Sequence, residues 1–142
     1  MELTKSGYEF GGVLVSELTK NYGTPLYVYD SDVIVNNYHS LKSAFKGVDV
    51  HLKYACKALT NINVLKILQK EGAGLDTVSI QEAKIGLKAG FKPEDILYTP
   101  NCVSFDEIKE AVELGLVINI DELGTLERFG NEYGDTVACC IR

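Results

Sequence analysis

The 142-residue sequence lacks the features that mark several other classes of protein. It has no apolar run near the roughly 20 residues that a membrane-spanning helix needs, and residues 1–10 lack the apolar stretch of a secretory signal. It has no cluster of lysines or arginines, and its 14 basic and 20 acidic residues give a net charge of −6. We therefore expect neither a nucleic-acid surface nor a surface for anionic membranes.

Metal-binding and dinucleotide-binding motifs are also missing. The four cysteines form no C-x-x-C pair, and His39 and His51 do not stand at zinc-site spacing from them. We expect no metal site, and we expect reduced, buried thiols in a cytosolic protein. Gly72-Ala73-Gly74 precedes an apparent strand and does not open a helix, so these glycines are expected to end a helix and not to bind a dinucleotide.

The sequence does contain a repeated unit of a short apolar strand, a capped amphipathic helix and a glycine, which recurs about every 22 residues. We predict strands near 48–56, 74–78, 96–98, 117–120 and 137–141. The predicted helices that follow them begin near Asn61, Ser79, Ser104 and Glu122, with Asp121 as a cap. Strands alternating with helices through short loops predict a parallel α/β sheet, either a barrel or a doubly wound fold.

The segment before this repeat is predicted in less detail. A short helix is expected over 14–21 and a short aromatic strand over 25–29. Ser31 or Asp32 is then expected to cap a helix that runs to about Phe45.

One stretch, His51-Leu52-Lys53-Tyr54-Ala55-Cys56-Lys57-Ala58, places a lysine at or just past the C-terminal end of a predicted strand. In βα folds this end of a strand is where chemistry collects. The small Ala55 and Ala58 leave room for a planar ligand, and burial would favour the neutral amine of Lys57, which is the nucleophile in Schiff-base chemistry. On position alone, a solvated lysine is the more common outcome.

Tyr54-Ala55-Cys56-Lys57-Ala58 resembles the Tyr-Ala-x-Lys-Ala motif of fold-type III pyridoxal-phosphate enzymes, and most closely that of the diaminopimelate decarboxylase family. Three further stretches are similar to this family in order and spacing: Tyr22-Gly23-Thr24-Pro25-Leu26-Tyr27-Val28-Tyr29-Asp30, Glu71-Gly72-Ala73-Gly74-Leu75-Asp76-Thr77-Val78-Ser79 with Glu82 after it, and Ala138-Cys139-Cys140-Ile141-Arg142. The resemblance runs from about Leu14 to the last residue.

The resemblance implies a (β/α)8 TIM-type barrel of the alanine racemase-like fold, of which only the first part is present. Residues 25–142 would form that part, and residues 1–24 would be an N-terminal segment that packs with a second, β-rich domain. Because a barrel needs about 250 residues, we expect the chain to be the N-terminal portion of a longer enzyme. Alone, it is expected to be inactive and poorly folded, because half a barrel leaves strand edges unpaired.

The activity that the resemblance implies is pyridoxal-phosphate-dependent decarboxylation of meso-2,6-diaminopimelate to L-lysine and carbon dioxide, in lysine biosynthesis, by a cytoplasmic homodimer. Alternatives with the same fold are decarboxylases of ornithine, arginine or carboxynorspermidine, and an amino-acid racemase. A non-catalytic pyridoxal-phosphate carrier is the alternative from another class. The substrate stays open at this point, because the family's phosphate loop, pyridine-nitrogen partner and substrate-binding residues are absent from this chain.

The resemblance also implies the site residues. Lys57 is the expected catalytic residue and the lysine that binds pyridoxal phosphate through its amine. Asp76 and Arg142 are expected beside the cofactor, with the arginine as a donor to its phenolic oxygen, and Ala55 is expected to line the cofactor site. For Asp76, the residues alone favour a structural hydrogen bond as much as a place in the site. For Arg142, the residues alone favour a solvated side chain over a place in the site.

Three further residues are weaker candidates. Glu82 stands three residues after Ser79 and is expected first to close a capping box, with a place near the site as the alternative. Asn101 is expected either to lie in a turn or to line the site. Tyr54 has the opposite strand parity from Lys57, so we expect it to pack against a helix.

Overall fold

The computed structural model describes residues 1–142 and contains two sheets. The first is a small antiparallel sheet at the N-terminus with strands β1 (Glu2–Thr4), β2 (Gly7–Phe10) and β3 (Val13–Leu14). It is followed by helix α1 (Val15–Tyr22), which ends at Gly23 as predicted. Gly23 adopts a φ of 80°, a conformation that a residue with a Cβ rarely adopts.

The next segment differs from its prediction. Residues 25–29 form no strand, because no other segment pairs with their backbone. Helix α2 (Ser31–Ala44) is capped by Asp30, whose carboxylate accepts hydrogen bonds from the backbone of Asp32 at 2.9 Å and of Val33 at 3.3 Å. The predicted caps Ser31 and Asp32 are therefore wrong, because the residue before them has both the extended backbone and the acceptor that a cap needs.

The second sheet has five parallel strands in the order of the chain. They are β4 (Lys53–Ala55), β5 (Gly74–Thr77), β6 (Ile96–Tyr98), β7 (Val117–Ile120) and β8 (Cys139–Ile141). The helices between them are α3 (Ile62–Lys70), α4 (Ile80–Ala89), α5 (Phe105–Glu113) and α6 (Leu123–Tyr133). The order never reverses, as a doubly wound sheet would require, so the topology is that of a barrel. None of the helices combines the length and the apolarity that crossing a membrane requires.

Two strands are shorter than predicted. The alternating residues 48–52 form no strand, and β4 gives way after Ala55 to a 3-10 turn, Cys56–Ala58. The last strand begins at Cys139, two residues later than predicted. In both cases the apolar pattern extends beyond the residues that have a paired neighbour, because pattern alone does not provide a partner strand.

The helix caps largely agree with the sequence. Asn61, Ser79 and Ser104 cap α3, α4 and α5, and Ser104 forms a capping box with Glu107. Asp121 is not the cap of α6: the Glu122 carboxylate accepts the backbone N–H groups of the first turn. The longer glutamate side chain reaches those donors from one position later in the chain.

The five-stranded sheet buries one of its two faces. Leu75, Ile96, Tyr98, Ile118 and Ile120 alternate along β5–β7 with less buried residues and are almost completely buried against the helices. They belong to a core of 16 residues. Alternation along each strand places the remaining side chains on the other face.

The thiols are not all buried as expected. All four cysteines are free, but only Cys56 is buried, whereas Cys139 is half-buried and Cys102 and Cys140 are exposed. Cys102 lies in the loop after β6 with a φ of 55°, and Cys140 alternates with the core-facing residues of β8. The expectation of burial is therefore wrong for these two residues.

Candidate active site

The face of the main sheet opposite the helices, called the open face below, is defined by Ala55, Asp76, Leu97, Val117 and Asn119. The first four are joined in register across β4 to β7, since Ala55 pairs with Asp76, Asp76 with Leu97, and Leu97 with Val117. Asn119 lies two residues further along β7 and pairs with Cys140 of β8. Polar groups on this face collect near the carboxyl end of the strands, where ligands bind in parallel α/β sheets.

Lys57 lies two residues beyond Ala55, in the 3-10 turn at the carboxyl end of β4, which confirms its predicted place. The turn is anchored by the buried Cys56, whose carbonyl accepts hydrogen bonds from the Leu59 N–H and the Thr60 hydroxyl at 3.1 Å each. The side chain of Lys57 is exposed, which is the outcome that its position alone favoured. Its amine takes part in none of the five ion pairs and is available to a ligand.

Asp76 lies in the register position next to Ala55. Its Oδ1 accepts a hydrogen bond from the Thr99 hydroxyl at 2.7 Å, and its Oδ2 has no hydrogen bond or ion pair. The structural hydrogen bond that the residues alone allowed for Asp76 is therefore present. One oxygen of the carboxylate nevertheless stays free on the open face.

Asn119 is a candidate site residue that the sequence analysis missed. Its Oδ1 is buried and has no hydrogen-bond partner, which is uncommon, since most buried polar atoms are paired. The available indication was a single amide in the otherwise apolar strand Val117–Ile120. Asn119 also lines a cavity of about 440 Å³ at the carboxyl end of the sheet, together with Asn101 and Asp121. Asn101 lies in a bend after β6 and lines this cavity, and its place in the cofactor site stays a prediction.

Tyr54 has the structural role that was predicted first, whereas Glu82 makes structural contacts other than the predicted box. Tyr54 packs both against the 16-residue core and against a second apolar cluster of Tyr38, Val64, Leu68 and Ala73. Its hydroxyl donates to the Leu59 carbonyl at 3.3 Å, and burial raises the pKa of its phenol. Glu82 donates its N–H to the Ser79 hydroxyl at 3.2 Å, while its carboxylate accepts the N–H of Val78 at 2.8 Å. The predicted capping box is therefore not closed, because the carboxylate engages the N–H of Val78 and not that of the cap residue Ser79.

Arg142 continues β8 alongside β7, because its N–H donates to the Ile120 carbonyl at 2.9 Å. Strand alternation gives Arg142 the parity of Cys140, which is that of the open face. Its side chain is exposed and forms no ion pair. Arg142 and Lys57 lie at the same end of the sheet but on opposite edge strands, so contact with one ligand stays a prediction.

An exposed primary amine, a half-free carboxylate and an unpaired amide oxygen thus lie at one end of one sheet face. A free lysine amine at the carboxyl end of a barrel strand is the group that a protein needs to capture a carbonyl compound as a Schiff base. No group of three histidine, cysteine or acidic side chains is arranged to hold a metal ion.

Residues 31–142 match the family model described as the pyridoxal binding domain of pyridoxal-dependent decarboxylases. The chain belongs to this family.

Individual relatives agree with this assignment. The chain is 47% identical over 120 residues to the diaminopimelate decarboxylase of Methanothermobacter thermautotrophicus, which covers 83% of this chain and 28% of that protein. The crystal structure of diaminopimelate decarboxylase from M. jannaschii with L-lysine superimposes with a TM-score of 0.89 at 28% identity, covering 99% of this chain and 35% of the other. Lysine/ornithine decarboxylase from Vibrio vulnificus with putrescine gives 0.81 at 29% identity, covering 90% and 35%.

These matches confirm the expected fold, the first part of an alanine racemase-like barrel. The chain spans about a third of the length of the curated relatives that it matches, 28–32% of each. The expected division into residues 1–24 and 25–142 stays a prediction.

The residues present fit pyridoxal phosphate. Its aldehyde requires a primary amine that is not already engaged, and Lys57 is such an amine. The alanines beside it add little bulk, and the unpaired Oδ1 of Asn119 offers an acceptor to a ligand that brings a donor. Lys57, Asp76 and Arg142 are the residues that would hold the cofactor from this chain.

Proposed function

We propose that the chain is the N-terminal part of a diaminopimelate decarboxylase, which converts meso-2,6-diaminopimelate to L-lysine and carbon dioxide with pyridoxal phosphate. The observation that carries the proposal is the exposed, unpaired amine of Lys57 at the carboxyl end of β4. The choice of substrate is supported by the 47% identity to a diaminopimelate decarboxylase. On the same resemblance, we propose a cytoplasmic homodimer.

Each residue of the proposed site has a role that follows from its chemistry. Bound pyridoxal phosphate supplies the electron sink that makes loss of carbon dioxide from an amino acid possible. Lys57 would hold the cofactor through Nζ and could donate a proton at that atom. Asp76 contributes a carboxylate on the open face, and Arg142 adds a guanidinium with several N–H donors.

A decarboxylase of another diamino acid is the second candidate. The observation that favours it is the TM-score of 0.81 with the lysine/ornithine decarboxylase of Vibrio vulnificus. Arginine and carboxynorspermidine are further substrates of this class. Both candidates use the same lysine and the same fold, so only the reaction of the complete enzyme separates them.

The test of the substrate is carbon dioxide release by the full-length protein with pyridoxal phosphate. Meso-diaminopimelate, ornithine, arginine and carboxynorspermidine are compared under the same conditions. We expect release from diaminopimelate alone. Release from another substrate would move the enzyme to the second candidate, and no release with the cofactor still bound would favour a racemase or a carrier protein.

The test of the lysine is borohydride reduction of the full-length holoenzyme followed by mapping of the pyridoxyl group. We expect the label on Lys57 and its loss in Lys57→Arg. Lys53→Arg is the matched control, because Lys53 lies on the same strand but its Nζ donates to the Asp95 carbonyl at 2.8 Å at the opposite end. A label on Lys53, or on any lysine other than Lys57, would refute the assignment.

A further inference from the structure

We propose that Thr99 is a positioning residue of this site, whose hydroxyl fixes the Asp76 carboxylate so that one oxygen stays available on the open face. The inference rests on the proposed function, because it concerns how the decarboxylase site is held in shape. Its basis is the 2.7 Å hydrogen bond from Thr99 Oγ1 to Asp76 Oδ1. No other hydrogen bond or ion pair holds the Asp76 side chain.

The backbone of Thr99 is itself held firmly. Its N–H donates to the Thr77 carbonyl at 2.7 Å, which continues the pairing of β5 and β6 by one residue. The residues on either side, Tyr98 and Pro100, are both buried. A β-branched side chain on such a backbone has few rotamers, so the hydroxyl has a defined place.

The direction of the hydrogen bond also matters. Asp76 lies on β5, between Ala55 of β4 and Leu97 of β6, and Thr99 approaches it from the β6 side. Thr99 therefore engages the carboxylate from the side away from the strand that leads to Lys57. A hydrogen bond to a charged acceptor is stronger than one between neutral groups, so this contact restricts the carboxylate while Oδ2 remains without a partner.

Thr77 provides a matched control. It is a threonine on the strand that carries Asp76, but it is fully buried, and its hydroxyl donates to the Leu97 carbonyl at 3.2 Å. Thr77→Val and Thr99→Val remove the same atom and one hydrogen bond each. Only Thr99→Val leaves the carboxylate of Asp76 unrestrained.

The experiment uses the full-length enzyme and measures the affinity of the apo-protein for pyridoxal phosphate, the visible circular dichroism of the bound cofactor, and the thermal midpoint. We expect Thr99→Val to weaken cofactor affinity about tenfold and to change the circular dichroism. Thr99→Ser, which keeps the hydroxyl, should restore both. Thr77→Val should lower the thermal midpoint and leave both cofactor readouts unchanged. Thr99→Ala takes the place of Thr99→Val if the latter does not fold.

A double-mutant cycle separates positioning from general stability. In an Asp76→Asn background, Thr99→Val should cause little further loss of cofactor affinity, since Thr99 acts through the carboxylate. Full additivity of the two changes would overturn the inference. A Thr99→Val enzyme with wild-type cofactor affinity and circular dichroism would also overturn the inference. If the wild type releases carbon dioxide in that case, the proposed function still stands. A wild-type protein that binds no pyridoxal phosphate would overturn both.

Discussion

Removal of one oxygen atom from the core tests whether burial in this domain is as complete as the structure indicates. Tyr98 at the end of β6 is fully buried, and its hydroxyl has no hydrogen-bond partner. Tyr98→Phe keeps the ring and deletes only the unpaired group. We therefore expect this substitution to stabilise the protein, which few core substitutions do.

The size of the effect at neutral pH follows from two opposing costs. Burying a hydroxyl without a partner costs about 1–3 kcal/mol, as judged from mutations in proteins. The loss of packing around one deleted oxygen offsets part of this cost. We expect the free energy of unfolding to rise by about 1 kcal/mol in Tyr98→Phe.

The effect grows in alkali. Burial, and then the charges of Glu107 and Glu110, raise the pKa of Tyr98 from 10.0 to about 12. The Tyr98 phenol stays neutral in the folded protein, whereas in the unfolded chain it ionises above pH 10. The contribution of the neutral phenol to the stability of the wild type is therefore fully present below pH 10 and is lost as the pH rises through about 12. Two pKa units correspond to about 2.7 kcal/mol. Because solvent and salt screen the two carboxylates, we expect the wild type to lose about 1–2 kcal/mol of stability relative to Tyr98→Phe as the pH rises from 10 to 12.

The assay is thermal unfolding of the full-length apo-protein at pH 7 and between pH 10 and 12. Tyr98→Phe should raise the midpoint at pH 7 and should raise it further above pH 10. Tyr54→Phe is the control, because it removes a hydroxyl that does have a partner, the Leu59 carbonyl, and should cost about 1 kcal/mol. A Tyr98→Phe protein less stable than the wild type would show that the hydroxyl is hydrogen-bonded, and the argument from burial would fail.

Three further predictions concern local packing and capping, each measured by the unfolding midpoint of the full-length apo-protein. A Cβ on Gly86 of α4 would overlap Cδ2 of the buried Leu75, so Gly86→Ala should destabilise by about 1–3 kcal/mol. Gly130 of α6 faces open space, so Gly130→Ala should stabilise by about 0.5–1 kcal/mol. The opposite order would refute the packing argument. Ser104→Ala should cost about 1 kcal/mol by removing a capping box, and Ser104→Asp should recover most of it. Backbone hydrogen bonds lower the pKa of Glu122, so its contribution to stability is present above pH 4.5 and is lost as the pH falls; Glu122→Gln should abolish that part of the acid dependence.

Much of the fold was predictable from local patterns. Apolar strands bounded by glycines and capped helices occur at nearly the predicted positions, because a Ser or Asn cap and an apolar period act over a few residues. The errors occur where the pattern needs a distant partner. Residues 25–29 and 48–51 have suitable composition, but they are paired with no strand, and only the Leu52 carbonyl that follows accepts a hydrogen bond from β5, from the N–H of Gly74.

The candidate site divides in the same way. The place of Lys57 at a strand end follows from a continuous motif, whereas its exposure depends on every element packed around it. Asn119 was missed because the partners of a buried amide cannot be counted before its neighbours are known.

Local sequence patterns are enough to place a lysine at the carboxyl end of a strand, to predict the helix after it, and to show the resemblance to the pyridoxal-phosphate decarboxylases. These properties belong to short continuous segments and to their order. Which side chains meet depends instead on how the strands pair in three dimensions. Thr99 and Asp76 are 23 residues apart, and they form a hydrogen bond because β6 pairs with β5 in one particular register. A shift of one residue in that register would place either side chain on the opposite face of the sheet.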